Sequence, residues 1–241
     1  MIELRHDRLM FSFSDIHPEA KLTIDFQRTL RIPDDGKEYY LPPGLGRFPL
    51  NHLDDYAKSI PSKWLEHGGV MLPMYQSEAL WISFRTEHIW DRRTGYPFAI
   101  KVATGKINAI SGDGWTEGLQ RRPQNYMVSN RQPWIDGYCV EKGVIQQFVA
   151  MPLGSSYSTE EQITGEAEYG GIQIVVYPMK RGLFENRFPK IKHDLAKFRR
   201  LHSLDEMNVK CLIKEQSLDM GLAPGGRMRQ EIYEDPFDLS D

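Results

Sequence analysis

Two uncharged, β-branched runs, VIQQFVAM at residues 144–151 and IQIVVY at residues 172–177, constrain this chain more than anything else in it. Branching at Cβ and the lack of charge suit strands buried on both faces, so both runs are expected as central strands of one sheet. Each nevertheless carries amides where apolar side chains belong: Gln146, Gln147 and Gln173. A buried amide left without partners costs about 1–3 kcal/mol. Either these strands have a wet face, or they line an internal polar network or pocket. Side chains alternate along a strand, so Gln146 and Gln147 point to opposite faces and Gln173 can join only one of them.

The remaining signals are short elements separated by turns. Twenty glycines and 15 prolines are spread over 241 residues, which favours many brief strands over long helices. Residues 3–13 read as an opening strand and residues 21–32, which alternate in part, as a second. The prolines and glycines of residues 37–50 restrict regular structure to a few residues at a time. Asn51 is placed to cap a short helix running to residue 60, before Pro61. Extended segments follow from residue 70, with a hairpin around Thr104 and Gly105. Ser158 and Glu161 stand in capping-box spacing for one helical turn. Residues 193–207 have helical spacing, and KCLIKE at 210–215 suits a last strand or the end of that helix. The expected fold is mainly β (α+β): an antiparallel sandwich or barrel-like sheet with a few short peripheral helices, a single domain over residues 1–215. Residues 216–241 form an acidic C-terminal extension, expected to be partly frayed and to contribute little beyond Pro236.

Charge and cysteine usage narrow the partners. Thirty basic and 33 acidic residues leave a net charge of −3, which supplies no general attraction to nucleic acid or an anionic membrane. Locally, residues 180–200 carry eight bases against Glu185 and Asp194, and residues 231–241 carry five acids and no base, so the two stretches can pair. Three phenylalanines interleave the basic run, a pattern that also suits phosphate backbones, though a solvated face is the commoner use. Cys139 and Cys211 allow at most one disulfide and are expected to stay reduced, as in a cytoplasmic protein. No window holds the roughly 18 apolar residues of a membrane helix, and the first residues lack an apolar signal core.

Motifs for metals, nucleotides and nucleophiles fail on spacing. The seven histidines share no H-x-x-x-H pair, the glycines around residues 44–46 and 112–118 fit no dinucleotide or phosphate loop, and no G-x-S-x-G occurs. No metal and no cofactor are expected. Gly225, Gly226 and Arg227 would serve as an anion nest or, more simply, as a turn. Lys142 beside Cys139 would favour a thiolate, but no histidine is local to it.

The strongest constellation is aromatic. Trp90-Asp91, Asp113-Gly114-Trp115 and Trp134-Ile135-Asp136 set three tryptophans within two residues of a carboxylate. Indoles stack on apolar faces while adjacent acids take hydrogen bonds, the chemistry that grips a sugar or a heteroaromatic ring. The ordinary alternative is that tryptophans close a β-core and the acids are solvated turn residues. On this basis the expected ligand site comprises Trp115, Trp134, Gln146 and Gln173, in a binding or assembly protein that accepts a small polar or sugar-like ligand or a second copy of itself. The rival is a carbohydrate-active or other hydrolase in which two of Asp91, Asp113, Asp136 and Glu141 act as general acid and base.

Overall fold

Alternation of apolar and polar side chains over residues 21–29 produces the strand Lys21–Thr29. It pairs antiparallel with Ala79–Thr86 so that Phe26 meets Ile82 and Ile24 meets Phe84. The computed structural model describes residues 1–60, 62–191 and 226–240. Around this pair a larger sheet runs in the order Ile2–Leu4, Leu9–Ser12, Lys21–Thr29, Ala79–Thr86, Val144–Val149, Arg227–Arg229, Glu38–Tyr39. Its pairings are antiparallel except the last, between Arg227–Arg229 and Glu38–Tyr39.

A smaller sheet is centred on Phe98–Thr104. Ile107–Asn108 and Met127–Val128 pair along one side of it and Ile172–Pro178 along the other. Leu22, Ile24, Ile82, Phe84 and Phe148 from the larger sheet share one buried cluster with Phe98, Ile100 and Val102 from the smaller. The protein is therefore mainly β with short helices, and neither sheet closes into a barrel among the described residues. No helix among them is long and apolar enough to cross a membrane.

Local turn chemistry behaves as the sequence predicts. Gly105 and Lys106, with φ of 52° and 63°, make the tight turn between Phe98–Thr104 and Ile107–Asn108. Ser158 and Glu161 form a capping box on the helix Thr159–Thr164, which ends at Gly165 with φ 77°.

Other expectations are corrected. The two uncharged runs lie in different sheets: Val144–Val149 is interior to the larger, whereas Ile172–Pro178 pairs only with Phe98–Thr104 and forms an edge. Its lack of charge reflects packing of both faces, with Ile172, Ile174 and Val176 toward the shared core and Tyr177 toward Tyr126 and Val128. Residues 3–13 are a hairpin, Ile2–Leu4 against Leu9–Ser12, turned at His6 and Asp7 with φ of 50° and 58°. Asn51 is not a cap. It pairs with Met71, and only the 3-10 turn Leu53–Tyr56 follows.

Residues 226–240 dock rather than fray. Arg227–Arg229 fills the gap between Val144–Val149 and Glu38–Tyr39. Asp235, 3% exposed, accepts hydrogen bonds from Tyr126 Oη at 2.6 Å and from the backbone of Phe237 and Leu239 at 2.8 and 2.7 Å. Phe237 and Leu239 pack on the core. Asp238 pairs with Arg121 rather than with the basic stretch. The division at residues 215/216, the helix over 193–207, KCLIKE, Gly225 and Cys211 lie outside the described residues.

Candidate functional site

The amides and tryptophans singled out above take separate structural duties. Gln147 is buried, and its side chain brackets the neighbouring chain: Oε1 accepts from Ile32 N at 3.0 Å and Nε2 donates to Leu30 O at 2.8 Å. Gln146, on the opposite face, is exposed. Gln173 braces the turn before its own strand, accepting from Lys106 N at 2.9 Å and donating to Gly170 O at 2.7 Å. Trp115 lies over two amines, Lys101 Nζ at 4.6 Å and Lys106 Nζ at 5.3 Å. Lys101 is buried and clamps the 116–118 loop through the carbonyls of Thr116 and Gly118. Lys106 thus links Trp115 to Gln173, while Trp134 and Gln146 stand apart from that group.

The four carboxylates are likewise engaged one by one. Asp91 pairs with Lys190 at 3.3 Å and Glu141 with Arg227. Asp113 is exposed in its turn. Asp136 is 3% exposed, and its Oδ2 accepts from Gln230 Nε2 at 2.9 Å. Burial pushes the Asp136 carboxyl up to about 7, against hydrogen bonds from Gln230 and the Trp134 side chain that pull it down. Burial also pushes the Cys139 thiol up, away from a reactive thiolate. Among the described residues no three His, Cys, Asp or Glu side chains cluster to hold a metal ion.

A pocket of about 250 Å³ lies elsewhere, where three distant segments meet: the turn at His17, the turn at Asp91 and Arg92, and the helix Arg181–Arg187 with the residues just after it. Its floor is buried and its rim is exposed. His17 is held in the floor between aromatic rings, Tyr96 at 5.2 Å and Phe184 edge-on at 5.1 Å. Its Nδ1 accepts from Glu19 N at 3.1 Å, which leaves Nε2 to carry the proton of the neutral ring. Arg92, 9% exposed, stacks over Phe184 at 4.9 Å and donates to Phe188 O.

Charge separates the two levels. On the rim Arg181 pairs with Glu185 at 2.9 Å and Lys190 with Asp91, so those charges largely cancel. Arg92 below has only a carbonyl and a ring face, and no acid pairs with it among the described residues. Desolvation lowers the His17 pKa, and Arg92 and then Arg181 lower it further, ahead of the opposing acids Glu185 and Glu19. The imidazole therefore sits in a net positive field.

Of the sequence candidates only Asp91 lines this pocket. His17, Arg92 and Arg181 are separated by 75 and 89 positions in the chain, and no local motif announces their meeting. Comparison with protein-family models, with curated proteins and with solved structures finds no match.

Proposed function

We propose that this protein is a binding protein whose pocket at His17 and Arg92 takes a small anionic ligand bearing a carboxylate or phosphate group. The observation that carries the reading is the Arg92 guanidinium, buried and without an acid, beside a neutral imidazole whose Nε2–H is a second donor. A guanidinium fork matches a carboxylate or phosphate edge, and burial strengthens the attraction. The paired rim charges add selectivity at the mouth without cancelling the floor. About 250 Å³ suits a ligand of a few heavy atoms.

The test is calorimetric titration and thermal unfolding with inorganic phosphate and with citrate. A ligand held only by the folded state raises stability by about 2.7 kcal/mol at a hundred times its Kd. Either anion should raise the melting temperature of the wild type. Arg92→Gln should lose that response while keeping the wild-type circular dichroism spectrum. If neither anion shifts the wild type at millimolar concentration, or if Arg92→Gln responds equally, the reading fails.

A further inference from the structure

The Ile172–Pro178 strand leaves one edge open, and its pairing identifies the groups presented there. Met179 N donates to Pro97 O at 3.0 Å and Gly105 N to Gly171 O at 3.1 Å. In an antiparallel ladder, backbone groups alternate between the two sides of a strand. Odd-numbered residues of this strand therefore face Phe98–Thr104, while Ile172, Ile174 and Val176 turn their N–H and C=O groups outward. Among the described residues no hydrogen bond reaches those outward groups. Pro178, next in the same row, has no N–H, as befits the outer side of an edge.

Nothing along this edge blunts pairing. All seven residues are half-buried and none is charged, whereas solitary edges usually carry a lysine, a bulge or an interior proline. Tyr169, and Leu153 where it meets Gly170, add exposed apolar surface at the start of the strand. Charge is polarised about it. Glu166 and Glu168 precede the strand, and Lys180 and Arg181 follow it.

We infer that the chain forms a two-fold dimer in which the Ile172–Pro178 strands of two copies pair antiparallel, joining their smaller sheets into one. A two-fold axis at Ile174 sets Ile172 of each copy against Val176 of the other, so the outward donors and acceptors of both edges are matched. The same register, continued past the strand ends, brings Glu168 of one copy to the partner's Lys180. The acidic approach then lies beside the basic exit twice per dimer. A parallel pairing would put acid beside acid and base beside base. One strand pair is a small interface, so the expected dissociation constant is of micromolar order.

Sedimentation velocity over about 1 to 100 µM tests this, a range set by that expected affinity. The wild type should pass from monomer to dimer, and the amides of Ile172, Ile174 and Val176 should gain hydrogen-exchange protection only at dimeric concentrations. Glu168→Lys alone and Lys180→Glu alone should each weaken the dimer roughly tenfold, because two attractive contacts become repulsive. Mixing the two altered chains should restore wild-type affinity as a heterodimer, which pairing inside one chain cannot produce. A monomer across the whole range, a dimer indifferent to both substitutions, or failure of the mixture to recover overturns the inference. So does a monomer whose three outward amides are already protected.

Discussion

Replacing Asp136 by asparagine should flatten a pH dependence of stability that the buried carboxyl imposes. The folded-state value is about 7 against an ordinary 3.8. Between those values the folded protein holds a proton that the unfolded chain has released, so stability falls as pH rises and levels off above about 7. The slope attributable to this one group is about 1.4 kcal/mol per pH unit, and over the full window it amounts to about 4 kcal/mol. Asparagine is nearly isosteric, and its carbonyl can still accept from Gln230 Nε2, which reaches Asp136 Oδ2 at 2.9 Å in the native site. Its NH2 group, however, replaces an acceptor with a donor, at a cost of about 1–3 kcal/mol that does not vary with pH. Urea unfolding of both proteins at half-unit steps from pH 5 to 8.5 isolates the site, because every other titrating group cancels in the difference. The asparagine variant should gain on the wild type by about 3 kcal/mol between pH 5 and 7 and no further above pH 8. A difference that stays constant within about 1 kcal/mol across that range would refute a desolvated, protonated Asp136.

Two further substitutions separate structural from solvated positions. Gln147→Leu strands the backbone groups of Leu30 and Ile32 and should cost about 3 kcal/mol in urea unfolding, whereas Gln146→Leu on the exposed face should change stability by less than about 0.5 kcal/mol. Equal effects would mean that the two side chains do not lie on opposite faces as described. Truncation after Glu234 removes the Asp235 hydrogen bonds and the buried Phe237 and Leu239 side chains, and should lower the melting temperature by ten degrees or more, as expected for a loss of several kcal/mol. A melting temperature within two or three degrees of wild type, the range of a surface change, would show that the tail does not hold its place.

What the sequence by itself determined is short-range. The turn at Gly105, the capping box at Ser158 and Glu161, and the extended character of residues 98–104, 144–149 and 172–178 depend on φ, Cβ branching and hydrogen bonds within a few residues, and all are present. The opposite facing of Gln146 and Gln147 also follows from alternation alone. Which of them is buried does not. It was decided when the segment at Leu30 to Ile32, 115 to 117 positions away, arrived to use the Gln147 amide. The same holds for Asp136, a turn acid by sequence, whose depth depends on Gln230, 94 positions later. The two uncharged runs look alike in composition, yet one is interior and the other an edge, because both can bury their side chains while only the topology supplies a second neighbouring strand. The pocket at His17, Arg92 and Arg181 lies furthest from anything legible in the chain. Each residue occupies an unremarkable local turn or helix end, and the positive field arises only where long-range packing brings the three together and excludes water from them.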